Sequence, residues 1–365
     1  MDALHNPFRG AGLGADAGVA TGEVLADASA PRALIRRCPA AAPTPLRELP
    51  ALARELDVGA LLVKDESARM GLGSFKALGA AYVIAREAAR RMDERGDASI
   101  GAECSDALRG TVYACASAGN HGLSVAAGAR AFGARAVIYL ADSVPEAFAE
   151  RLRRVGAEVV RPGGDYEDSM AAVAEAAAHN GWILLSDSSW PGYVDIPARV
   201  MEGYLVMGAE VADELPEPPT HVFLQAGVGG LAAAMTALVR ARWGDAPTIV
   251  VVEPEVAPAL IESIRAGRPV QTRGPASNMG RLDCKVPSHL ALAELARGAD
   301  WFVTISDEQA AATVERLARE DVATTPSGAA GVSGLQHAGA WREPLGLSGT
   351  SRVLAFVTEG REDAA

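Results

Sequence analysis

Short apolar runs alternate with longer amphipathic stretches along most of this chain. Leu61-Leu62-Val63-Lys64 predicts a buried strand. A polar, glycine-rich loop follows over 65–73, and an Ala-rich helical pattern runs from 75 to about 91. Strands are predicted at 111–116, 136–140, 159–161 and 182–185, with helices to 132, over 146–155, to about 179, and over about 194–214. The second half repeats the alternation. Strands are expected at 221–225, 248–253, 301–304 and 353–357, and helices to 243 and over 258–266, 289–297, 307–320 and 327–337. Upstream, Ala42-Pro43-Thr44-Pro45 reads as extended, because each proline biases its predecessor away from helix. The leucine spacing over 46–56 then predicts a short amphipathic helix. Residues 1 to about 40 are weakly patterned and are expected to form an arm. The stretch 268–288 predicts a long irregular segment, a kind that in compact domains is usually functional or mobile.

Strands alternating with helices predict an α/β fold with mostly parallel sheet covered on both faces. Such sheets bind ligands beyond the carboxyl ends of their strands. Three glycine-bearing stretches fall there: 117–122, 227–231 and 358–360. No period of 20–50 residues is visible, so a solenoid is not expected.

Composition narrows the function classes. The 365 residues are 49% hydrophobic and 22% charged, as for a globular protein with a sizeable core. A formal charge of −12 argues against a nucleic-acid partner. No apolar run approaches a membrane span and no signal peptide is visible, so no membrane partner and a cytoplasmic location are expected. Cys38, Cys104, Cys115 and Cys284 show no C-x-x-C spacing and are expected as reduced thiols. No cluster has metal-ligand spacing, and no metal is expected.

The candidate chemistry starts from lysine. Only three occur, Lys64, Lys76 and Lys285, among 34 basic residues. Arg cannot replace Lys where an amine must lose its proton and attack a carbonyl. Two of the three fall in the stretch 64–76, and the count alone leaves both open. Lys64 ends a strand beside Asp65 and Glu66, the setting of a paired structural lysine. Lys76 opens a helix, and we expect it to form a Schiff base with pyridoxal 5'-phosphate.

Gly227-Val228-Gly229-Gly230 lies between a strand and a helix, where backbone N–H groups suit a phosphate; a tight turn is as good a reading of this motif alone. Gly is absent at 232, so the pattern is not a dinucleotide fingerprint. Ser117-Ala118-Gly119-Asn120-His121-Gly122 offers donors for a carboxylate and a cofactor oxygen. A Ser/His catalytic pair is the competing idea, and Ser117 lacks the G-x-S-x-G context for it. Thr358 could bond a heterocycle nitrogen or simply cap a strand end. Asp187 could hold a substrate ammonium or shape a loop.

Taken together, Pro43-Thr44-Pro45-Leu46, Ser74-Phe75-Lys76, residues 117–122, residues 227–230, Pro326-Ser327-Gly328-Ala329 and Thr358-Glu359-Gly360 resemble the fold-type II pyridoxal-phosphate enzymes. That group includes the tryptophan synthase β-subunit and the threonine dehydratases. Residues 64–69, 75–80, 186–193, 252–254 and 279–287 are similar to diaminopropionate ammonia-lyases. The resemblance implies two open, mostly parallel twisted sheets with the cofactor in the cleft between a larger and a smaller domain. The implied division is a 1–40 arm, a large domain of 41–81 plus 186–365, and a small domain of 82–185. It implies a cofactor set of Phe75, Lys76, Asn120, Gly227, Val228, Gly229, Gly230 and Thr358. Lys76 and Asp187 would be catalytic, and Ser117, Ala118, Gly119 and His121 would meet the amino-acid substrate. The implied activity is β-elimination of an L-amino acid to a 2-oxo acid and ammonia, as in 2,3-diaminopropionate ammonia-lyase. A serine/threonine-type dehydratase or a β-replacement synthase on the same fold is the alternative. A homodimer is also implied. Two departures stand out. Position 118 is Ala where the ammonia-lyases carry Asp, which points to L-selectivity. Their Ala-Gly-Leu-Ala-Cys-Gly pattern is altered here to Gly280-Arg281-Leu282-Asp283-Cys284-Lys285.

Overall fold

The structure, a computed structural model, describes residues 2–95, 106–117, 119–142, 144–164 and 166–361. Cys104 and Ala118 lie outside the described residues. The strands are β1 (Ala3–His5), β2 (Leu46–Glu48), β3 (Ala60–Asp65), β4 (Val112–Ala116), β5 (Arg135–Tyr139), β6 (Glu158–Val160), β7 (Ile183–Leu184), β8 (His221–Gln225), β9 (Thr248–Pro254), β10 (Trp301–Ile305) and β11 (Arg352–Val357). They form a seven-stranded sheet in the order β1-β10-β9-β8-β11-β3-β2 and a four-stranded sheet in the order β6-β5-β4-β7. All pairings are parallel except the two edges, where β1 runs antiparallel to β10 and β2 antiparallel to β3. The α/β class expected from the alternation is therefore observed. The central strands are buried along all but the first residues of β9 and β11, as a sheet covered on both faces requires.

Two segments depart from the pattern-based expectation. The stretch 46–56 is not one helix: Leu46–Glu48 pairs with β3, and the helix Pro50–Glu55 starts only at the proline. Proline lacks an N–H, suits the first helical turn and keeps its predecessor extended, so Leu49 breaks the run. The weakly patterned N-terminal region supplies β1 and the helix Ser29–Ile35. Asn6, which is buried, fastens it there. Its Nδ2 donates to the carbonyls of Ala296 at 2.8 Å and Ala299 at 2.7 Å, at the end of the helix His289–Gly298.

Helix Lys76–Arg95 joins the two halves. It packs on Asn120–Ala131 of the smaller sheet's layer and on Asp195–Glu214 of the larger one's. Glycines permit the close approach. A Cβ on Gly79 would lie 2.6 Å from the Tyr204 ring, and one on Gly203 would lie 2.6 Å from the Leu78 carbonyl oxygen. No described helix is long and apolar enough to cross a membrane.

Candidate active site

Lys76 is the first residue of its helix, and the segment before it is tied to the end of β11. Phe75 N–H donates to the Thr358 carbonyl at 3.0 Å, Ser74 pairs with Glu359, and Gly360 N–H donates to the Gly73 carbonyl at 3.0 Å. The Lys76 ammonium hydrogen-bonds to Asp187 Oδ2 and lies 5.3 Å from the Phe75 ring centroid and 5.8 Å from that of Tyr204. Burial by itself pushes the Lys76 pKa down, but the Asp187 charge outweighs it, and the net shift is upward. Burial likewise opposes the charge on Asp187, yet the Lys76 ammonium holds that carboxyl well below the usual range.

Lys64 plays a different part. It is fully buried, its Nζ 2.7 Å from Glu210 Oε2 and 2.5 Å from the Thr44 carbonyl oxygen. Arg69, also buried, bonds Glu66 and Glu210, both at 2.7 Å. Two cations and two carboxylates thus lock the β3 end and the loop leading toward Lys76. Lys285 is spent on its own segment, donating to the Val256 carbonyl at 2.8 Å and to Asp283 at 2.5 Å.

Asp187 sits on a loop that other groups hold. Tyr193 Oη donates to the Leu184 carbonyl at 2.7 Å and accepts from Ser186 N–H at 3.0 Å, and the Tyr193 ring stacks on Trp190 at 4.3 Å. At the end of β4, Ser117 Oγ accepts from Gly119 N–H at 3.2 Å and Gly122 N–H at 3.1 Å. Ser117 therefore shapes its own loop. His121 is buried, and its Nε2 meets the Leu185 carbonyl oxygen at 2.7 Å, so Nε2 carries the proton and donates. Burial lowers its pKa, leaving Nδ1 a buried acceptor without a partner.

The loop after β8 approaches this group from the other side. Gly229 is left-handed at φ 101°, and helix Gly230–Trp243 starts without a side-chain cap, leaving the N–H groups of its first turn for a ligand. A Cβ on Gly227 would lie 3.0 Å from Cys284 Sγ, and one on Gly230 would lie 3.8 Å from the Asp187 carbonyl oxygen. Burial pushes the Cys284 thiol up to about 12. Thr358 is buried, and Gln225 Nε2 donates to its Oγ1 at 3.3 Å and to the Phe356 carbonyl at 2.9 Å.

Lys76, Phe75, Asp187, His121, the 227–230 loop and the 358–360 turn thus gather where the two sheets face each other. Four other residues at this place drew no role from the sequence: Tyr204, Gln225, Arg281 and Glu359. Glu359 takes the Asn120 amide, and Arg281 Nε lies 3.9 Å from Glu359 Oε2. Glu359 alone carried a signal, an acidic group in the glycine-bearing turn after the last strand.

Known proteins resemble this chain over most of its length. A family model described as Pyridoxal-phosphate dependent enzyme matches residues 38–359. The Diaminopropionate ammonia-lyase of Salmonella typhimurium is 33% identical over 350 residues, covering 89% of this chain and 87% of that protein. A solved structure of Diaminopropionate ammonia lyase from Escherichia coli, in complex with an aminoacrylate-PLP azomethine reaction intermediate, superimposes with a TM-score of 0.85 at 28% identity. It covers 99% of this chain and 94% of its own. A Mus musculus protein named Serine dehydratase-like is 29% identical over 231 residues, covering 62% of this chain and 68% of its own.

Proposed function

The chain belongs to the pyridoxal-phosphate dependent enzyme family, and from that membership we propose that it eliminates the β-substituent of an L-amino acid, with 2,3-diaminopropionate as substrate and a 2-oxo acid and ammonia as products. The residues fit pyridoxal 5'-phosphate. The uncapped helix start behind Gly227, Val228, Gly229 and Gly230, closed to any larger side chain at Gly227, would take the phosphate. Thr358 would face the ring nitrogen, Asn120 the phenolic oxygen, and Phe75 and Lys76 the aldehyde end. When bound, the cofactor supplies an electron sink that acidifies the substrate Cα–H. Thr358 is a neutral hydroxyl and does not hold a proton on the ring nitrogen as a carboxylate would, which favours loss of a β group over transamination.

The Lys76–Asp187 pair carries this reading. Asp187 stays a carboxylate at neutral pH, so it does not serve as a proton donor. It attracts the β-ammonium of the substrate instead and keeps the proton on that nitrogen, so the C–N bond breaks with its electron pair going to nitrogen and ammonia leaves neutral. The same exchange frees Lys76. Once its counter-charge turns to the substrate, burial dominates and favours the neutral amine over the ammonium. Nζ can then remove the Cα proton. Ser117, Gly119 and His121, with Ala118 between them, would frame the substrate carboxylate.

We assign L-selectivity from Ala118, and a homodimer, a cytoplasmic location and the division into 1–40, 41–81 with 186–365, and 82–185 from the family resemblance. Light scattering tests the dimer. The activity test is a panel of L- and D-2,3-diaminopropionate, L-serine and L-threonine, read as 2-oxo acid and ammonia. L-diaminopropionate should be consumed fastest, and Lys76→Ala should abolish turnover. Faster release from L-serine or L-threonine would refute the substrate, equal rates on both diaminopropionate isomers the selectivity, and turnover by Lys76→Ala the mechanism.

A further inference from the structure

We propose that Glu359 is a positioning residue that fixes the carboxamide of Asn120 in one orientation toward the cofactor. The proposal rests on the reading that Asn120 contacts the cofactor. The two ends of a carboxamide have nearly the same shape and opposite hydrogen-bonding character, so an unrestrained Asn presents either oxygen or nitrogen to a neighbour. A carboxylate only accepts. Glu359 Oε2 takes a hydrogen bond from Asn120 Nδ2, and the reversed amide would set oxygen against oxygen. This bond decides which end of Asn120 is committed and which polar group is left for a ligand.

Glu359 is itself held firmly enough to do this. It is 6% exposed. Thr325 Oγ1 donates to its Oε1, and Thr324 Oγ1 donates to its main-chain carbonyl at 2.6 Å. Thr325 also caps the helix Pro326–Gln336, accepting from Gly328 N–H at 3.1 Å. Gly328 is fitted to this arrangement, since a Cβ there would lie 2.1 Å from Thr324 Oγ1 and 3.0 Å from the Glu359 carbonyl oxygen. Main-chain pairing of Ser74 with Glu359 links the same turn to the segment that carries Lys76. Asn120 belongs to the smaller sheet's helix layer and Glu359 to the end of β11, so the orientation of one amide is set from across the cleft.

Titration of the apoenzyme with pyridoxal phosphate, followed by fluorescence, tests the coupling in Asn120→Ala, Glu359→Ala and the double variant. Each single change should weaken binding roughly tenfold, the equivalent of one lost hydrogen bond at the strong end of its range. The double variant should bind no more weakly than Asn120→Ala alone. Additive losses would overturn the proposal, because Glu359 would then act on something other than Asn120. Unchanged affinity in Asn120→Ala would overturn the reading of Asn120 as a cofactor contact, and this proposal with it. Glu359→Gln, which keeps the shape of the side chain, reads the charge. Its amide oxygen can still accept from Asn120 Nδ2, so Glu359→Gln should bind pyridoxal phosphate within about threefold of the unchanged protein, well short of the loss in Glu359→Ala. A loss of about tenfold or more in Glu359→Gln that persists in full on the Asn120→Ala background would overturn the proposal even if Glu359→Ala fails to fold.

Discussion

Glu210→Ala tests whether the buried charge cluster holds the segment that leads to Lys76. Glu210 takes Lys64 Nζ at 2.7 Å and the Arg69 guanidinium at 2.7 and 2.9 Å, and Thr44 N–H at 3.3 Å. With Glu66 the four charges cancel. Removing Glu210 leaves two buried cations sharing one carboxylate. At an effective dielectric of about 20, charge centres about 4 Å apart attract by about 4 kcal/mol, so two such contacts are worth roughly 8 kcal/mol before solvation. Omitting the desolvation of the carboxylate itself returns several kcal/mol, which leaves a net loss of about 3–5 kcal/mol. Urea unfolding followed by both fluorescence and circular dichroism measures it, two probes being needed because a chain with two sheets can unfold in steps. Lys64→Met combined with Glu210→Met removes one charge of each sign and leaves Arg69 with Glu66, so it should recover at least half of the loss. A cost for Glu210→Ala below about 1 kcal/mol, the size expected of an exposed ion pair, would refute the reasoning.

Asp187→Asn should lower turnover of diaminopropionate by about 10²–10³-fold, the size of a lost charge interaction at the reacting group. Because burial then acts on Lys76 unopposed, the rising limb of the pH–rate profile should also move to lower pH; a limb that stays in place would show that Asp187 does not control the lysine. Gly79→Ala brings a methyl to 2.6 Å from the Tyr204 ring and 2.8 Å from Val200 Cγ1, forcing helix Lys76–Arg95 outward. Thermal denaturation should show a loss of about 1–3 kcal/mol, and cofactor affinity should fall with it. Glu253 is fully buried, accepts from Leu260 and Ile261 N–H at 2.7 and 2.8 Å, and is pushed by burial from 4.5 up to about 8. A carboxyl raised in this way stabilises the fold in its protonated form, fully below its unfolded value and less as pH rises through the folded one. Unfolding free energy should therefore fall between about pH 4.5 and 8 by up to about 1.4 kcal/mol per pH unit, and Glu253→Gln should flatten that slope.

The chain by itself determined the strand–helix alternation, because buried parallel strands and amphipathic helices have different and repeated hydrophobic periods. It also determined where the glycine-bearing loops occur, since each interrupts the pattern directly after a strand. The scarcity of lysine singled out Lys64, Lys76 and Lys285 for attention. Only the tertiary structure decided what each lysine does locally: Lys64 is neutralised by Glu210, a partner 146 positions away in sequence, and Lys76 meets Asp187, a partner 111 positions away. Local pattern was silent on β1 and on the Asn6 anchor because their energy comes from bonds to residues nearly 300 positions distant. It misassigned 46–48 because a three-residue edge strand is fixed by its neighbour β3 and not by its own periodicity. The pairing of Asn120 with Glu359 lies beyond any one-dimensional reading for the same reason: a hydrogen bond between two sheets has no signature in either segment, only in the way the fold brings their ends together.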